Sequence, residues 1–163
     1  MCQNINLTDD FFERRLNSNQ FSWKEISKNS NLSEAFFEKH LDKVCWYNLC
    51  ENIGISESFF ERYIEKLDWN SLCQNTGISE KFFELYIEKV NWHWLCQNTN
   101  ISESFFELYL DSSQWWRLYE NSNVSIEFLN KYCNYINITV IPNFAVSKKH
   151  VNKYSFDKEW KKV

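Results

Sequence analysis

The chain has 163 residues, 44% of them hydrophobic and 18% aromatic, with two glycines, one proline and a formal net charge of −4. This is enough apolar material for one domain with a real core, and so little backbone punctuation excludes a β-sandwich built on tight turns. Gly54 and Gly77 are the only glycines and lie 23 residues apart, which excludes a glycine-rich phosphate loop.

The first residues, Met1-Cys2-Gln3-Asn4-Ile5-Asn6, have neither a basic region nor an apolar run, so no signal peptide is expected. No apolar stretch approaches the roughly 18 residues of a membrane span. Six cysteines without a secretory signal read as reduced thiols in an intracellular compartment. Asn-x-Ser triplets such as Asn31-Leu32-Ser33 and Asn100-Ile101-Ser102 fall where a loop precedes a helix, and without secretion they carry no glycosylation message.

Self-similarity governs the rest. Tryptophan recurs at Trp23, Trp46, Trp69, Trp92 and Trp115, each 23 residues after the last. Phe-Phe-Glu recurs at 11–13, 36–38, 59–61, 82–84 and 105–107, with a first spacing of 25, so the first copy carries two extra residues near Asn17–Gln20. Copies start near residues 7, 32, 55 and 78, then near 101, and a truncated one starts near 124. In the copy from Ile55, Ser56 is a natural N-cap and Glu57 suits the first turn of a helix. Phe59, Phe60, Tyr63, Ile64 and Leu67 then form one apolar helical face. Asp68 can cap a second, shorter helix with Trp69, Leu72 and Cys73 turned inward, ended by Asn75, Thr76 and Gly77. Such a pair cannot bury its apolar face alone, and stacked copies give a continuous core. The expected fold is all-α: a right-handed α-solenoid of five to six stacked helix–turn–helix repeats over residues 1–138, followed by an irregular, basic segment, 139–163, that serves as a tail or cap.

The recurring columns invite chemical readings, and each has a structural alternative. Asn29, Asn52, Asn75, Asn98 and Asn121 form either a polar groove or helix ends, where Asn tolerates left-handed backbone and satisfies loop groups. The helix-end position favours the second. Cys50, Cys73 and Cys96 in neighbouring repeats should lie about 10 Å apart, too far for a shared metal or a disulfide. They read as small core residues, and no metal site or cofactor is expected. His93, three residues before Cys96, has no triad signature around it, and no catalytic residue is assigned. One acidic column (Asp9, Glu34, Glu57, Glu80, Glu103) suits helix starts. The other (Glu13, Glu38, Glu61, Glu84, Glu107) suits solvated faces or contacts with Lys and Arg.

The two positions after each Trp vary between copies. Among them Tyr47, His93, Trp94, Trp116 and Arg117 are the candidate protein-binding residues, because Tyr, Trp and Arg carry binding hot spots. Trp94 and Trp116 can equally fill space at the end of the stack. Residues 139–163 hold six lysines and two acids, a balance of +4, against −8 for the remainder. Lys148, Lys149, Lys153, Lys161 and Lys162, with Tyr154, Phe156 and Trp160, make a segment that either caps the last repeat or reaches out to another subunit or a phosphate backbone.

Written as Ile-Ser-Glu-x-Phe-Phe-Glu-x-Tyr-Ile-Glu-Lys-Val-x-Trp-x-x-Leu-Cys-x-Asn, the unit resembles the short Trp- and Phe-containing helical repeats abundant in proteins of giant, AT-rich DNA viruses of the mimivirus kind. The resemblance covers residues 7 to about 132. It implies the architecture and no active site. The function expected is that of a non-enzymatic interaction or structural module, a virion component or a viral adaptor to a host protein, located in the reducing host cytoplasm or the virion. A viral or host protein is the expected partner, and self-association is open. No membrane association is expected, and nucleic acid, through the basic C-terminal arm, is the alternative.

Overall fold

The computed structural model describes residues 8–16 and 21–131. The segment 139–163, the two-residue insertion, Cys2 and Cys133 lie outside them. The described residues are all-helical: α1 (Asp9–Glu13), α2 (Trp23–Ser27), α3 (Glu34–Lys39), α4 (Trp46–Cys50), α5 (Glu57–Arg62), α6 (Trp69–Gln74), α7 (Glu80–Leu85), α8 (Trp92–Leu95), α9 (Glu103–Tyr109) and α10 (Ile126–Lys131). Short 3₁₀ segments cover Ile64–Lys66, Ile87–Lys89 and Ser112–Glu120. Helices of four to seven residues are too short to hold in isolation, so each depends on its neighbours.

Serine starts the first helix of each copy after the first. The Oγ atoms of Ser33, Ser56, Ser79, Ser102 and Ser125 accept the amides of Phe36, Phe59, Phe82, Phe105 and Phe128 at 3.1–3.3 Å. That satisfies one of the donors a helix start leaves free. Thr8, in the same place in the first copy, makes no such bond. The Asp68 carboxylate caps α6 by accepting the Ser71 amide at 2.9 Å.

The apolar face expected to run along one helix from Phe59 to Leu67 is broken instead. α5 stops at Arg62, Tyr63 leaves the helical region at φ −121°, ψ 28°, and a 3₁₀ turn follows. Tyr86 and His40 repeat the break. On an uninterrupted helix Leu67, eight residues and about 80° from Phe59, would stay on the shared face, so helical period does not call for the break. The tighter turn leaves Tyr63 against Phe59 and Trp46, at centroid separations of 4.9 and 5.6 Å, with Leu67 still in the core.

One core runs through all the copies. Phe37, Phe60, Phe83 and Phe106 are fully buried, as are Leu49, Leu72 and Leu95. Each Trp at the start of a second helix meets the first Phe of the next copy, as in Trp69–Phe82 (6.2 Å) and Trp92–Phe105 (6.3 Å). The second helices pack in a row, α2 on α4, α4 on α6 and α6 on α8. No described helix is long and apolar enough to cross a membrane.

Candidate interaction surface

The Asn column lies along the ends of the second helices. Asn75 Nδ2 donates to the carbonyls of Cys50 (2.8 Å) and Asn52 (3.3 Å) in the preceding copy, while its Oδ1 accepts the Gly77 amide (2.8 Å). Asn98 and Asn121 repeat all three bonds, and Asn52 donates to the Ser27 carbonyl at 3.0 Å. These amides are buried and saturated, so they form a ladder between copies and not a ligand groove. Asn75 sits at φ −73°, ψ 109°, so the left-handed backbone anticipated for this column is not used there. The side chain alone does the work of ending the helix, as an Asx turn does. At the first described rung, Asn29 Nδ2 is buried without a partner among the described residues. In the sequence, Cys2-Gln3-Asn4 repeats the Cys-Gln-Asn of 73–75 and 96–98; it lies outside the described residues.

Cys50, Cys73 and Cys96 are fully buried free thiols. Burial pushes them up from 9.0, to about 12, about 11 and about 12 respectively. A thiol held protonated at neutral pH is a poor nucleophile and a poor metal ligand. Among the described residues no group of three or more His, Cys, Asp or Glu is placed to hold a metal ion.

The first acidic column does more than suit helix starts. Glu34 accepts the Ser56 amide (2.7 Å), Glu57 that of Ser79 (2.5 Å), Glu80 that of Ser102 and Glu103 that of Ser125 (2.5 Å). Each carboxylate therefore ties its own helix start to the next. Period alone did not reveal this, because it identifies a face and not the partner across the repeat. The second column meets bases in neighbouring copies, as expected: Glu13 with Lys39 (3.4 Å), Glu38 with Arg62 (2.7 Å) and Glu107 with Lys131 (2.5 Å). In the two middle copies leucine replaces the base, and Leu85 and Leu108 are 67% and 71% exposed.

The structure divides the five candidate binding residues between two columns. The first position after each Trp, held by Lys24, Tyr47, Asn70, His93 and Trp116, faces outward: the first four are exposed, Tyr47 by 51%, and Trp116 is half-buried. The second position turns inward in mid-stack, where Asn48 and Ser71 are buried. Trp94 and Arg117 occupy that second column and are half-buried. The rows of second helices account for this. A step of about 100° per residue carries the second position toward the neighbouring helix. Trp94 and Trp116 also pack on the core, so both tryptophans fill space as well as offering surface. Two residues from different columns come together: Arg117 Nη1 donates to Nδ1 of His93, and the guanidinium lies 4.5 Å from the Trp116 ring centroid. Tyr47 lies two copies earlier in the first column. Lys148, Lys149, Lys153, Lys161 and Lys162 lie outside the described residues.

An open depression of about 650 Å³ lies beside this pair, lined among others by Asn70, Lys89, Asn91, Gln114 and the indoles of Trp69 and Trp92. It combines cations, amides and aromatic walls, which suits binding more than chemistry. Compared with protein-family models, curated proteins and solved structures, the chain matches none, so its assignment to an all-α repeat fold stands on its own geometry.

Proposed function

We propose that the protein is a non-enzymatic scaffold that binds another protein, of the kind found among the repeat proteins of giant DNA viruses, as a virion component or as an adaptor to a host target. One observation carries this reading. The recurring Phe, Trp, Asn, Cys and Ser columns are used in forming the stack, whereas the outward column Lys24, Tyr47, Asn70, His93, Trp116 does not repeat. A surface that varies on a regular frame is how solenoids present recognition residues, and exposed Tyr and Trp are the types that anchor partners. The buried, protonated thiols support a role without nucleophilic catalysis.

The test is affinity capture from infected cells and purified particles with the wild-type chain and with Tyr47→Ser/Trp116→Ser. A partner held by the wild type should be lost by the variant. A partner held equally by both, or no partner in either source, would overturn the proposal.

A further inference from the structure

Arg117 is an incompletely paired cation. A guanidinium has five donors and no acceptor, and one that is partly buried ordinarily meets a carboxylate. Lys28, Lys39, Arg62, Lys89 and Lys131 each do so here. Arg117 meets none among the described residues. Its Nε is buried without a hydrogen-bond partner, its Nη1 is spent on another base, His93, and its face rests on Trp116. Stacking on an indole fixes the plane of the guanidinium and leaves its edge as the recognition element. That residue lines the 650 Å³ depression together with Lys89, His93 and the amide-bearing Asn70, Asn91 and Gln114.

We propose that this depression receives a single carboxylate side chain, Asp or Glu, from a protein partner. The carboxylate lies against the Arg117 fork, with His93 and the neighbouring amides completing its hydrogen bonds. The inference rests on the reading above that this face binds protein. Charge decides between a carboxylate and a polyanion. Residues 1–138 carry a balance of −8 and would repel a phosphate backbone along its length, whereas one carboxylate meets only the local cluster. A planar fork also matches a carboxylate bidentately.

The experiment follows the Arg117 Nε–Hε resonance of the full chain, assigned by its loss in Arg117→Gln, together with the indole Nε1–Hε1 resonance of Trp92, which lines the depression and reports binding in the Arg117 variants. N-acetyl-glutamate methylamide is titrated as the carboxylate probe, with inorganic phosphate and a single-stranded oligonucleotide alongside. A saturable shift with the carboxylate is expected. Arg117→Lys, which keeps the charge and loses the fork, weakens binding by roughly tenfold. Arg14→Gln leaves binding unchanged. No saturable shift, unaltered binding in both Arg117 variants, or tighter binding of phosphate or oligonucleotide would overturn the assignment. Carboxylate binding by a chain that captures no protein would leave this site and remove the broader reading. Protein capture that survives Arg117→Gln, with no carboxylate shift, would do the reverse.

Discussion

The first described copy and the central copies carry the same pattern, yet they are not held alike. In the copies from Ile55 to Asn100, serine caps each first helix, a glutamate from the copy before takes the serine amide, and asparagine bridges two carbonyls behind it. In the first copy Thr8 caps nothing through its side chain, and Asn29 Nδ2 is buried without a partner among the described residues. A repeat therefore owes its stability to its neighbours more than to its own sequence, as nearest-neighbour coupling in stacked repeats requires. The same residue type at the same position is worth different amounts in the first described copy and in the middle ones.

The largest effect expected is in the core. Phe83→Ala, at a fully buried ring, should cost about 3–5 kcal/mol in urea unfolding, enough to separate the copies on either side.

Alkaline pH tests the buried thiols next. Above 9.0 the unfolded chain loses the Cys73 proton while the folded chain keeps it up to about 11. The unfolded state then binds fewer protons, so stability falls with rising pH in that window, by about 1.4 kcal/mol per pH unit per thiol. Below pH 9.0 this contribution is fully present. Cys73→Ala should reduce the slope measured between pH 9 and 11, and an unchanged slope would show that the thiol is not shielded.

A smaller contrast concerns the caps. Ser79→Ala should cost about 1 kcal/mol, and Thr8→Ala a few tenths at most, read from unfolding midpoints. Equal losses would mean that the serine caps add nothing beyond helix propensity. Smallest is the exposed ion pair Glu38–Arg62. Glu38→Gln should shift stability by no more than about 0.5 kcal/mol, and less still at high salt.

Much of this arrangement was legible before any coordinates. The 23-residue period, the serine caps, the Asp68 cap and the burial of the Phe and Cys columns all follow from residue types whose preferences are local or set by helical period. The break at Tyr63 was not legible, because the pattern from Phe59 to Leu67 fits an unbroken helix nearly as well, and only packing against Trp46 decides. The serine partner of Glu57 escaped because it lies 22 residues away in the next copy. For the candidate binding residues, variability did not distinguish the two faces. Tyr47 and His93 project outward, while Trp94 and Arg117 share the inward column of Ser71. Gly54 and Gly77 also look equivalent in sequence, yet a Cβ at Gly54 would meet the Ser30 carbonyl oxygen at 2.7 Å, whereas at Gly77 the nearest atom is an Asn75 side-chain oxygen at 3.1 Å.

The central claim is that the asparagine ladder couples each copy to the one before it. Urea unfolding of Asn75→Ala beside Asn29→Ala tests it most directly. Removing Asn75 leaves the Cys50 carbonyl without its partner, takes one of two bonds from the Asn52 carbonyl, which keeps the Ile55 amide, and frees the Gly77 amide at an exposed position, a loss of about 2–3 kcal/mol. Removing Asn29, whose Nδ2 has no partner and whose Oδ1 accepts only the Asn31 amide among the described residues, should cost about 1 kcal/mol. Equal losses at the two positions would contradict the account.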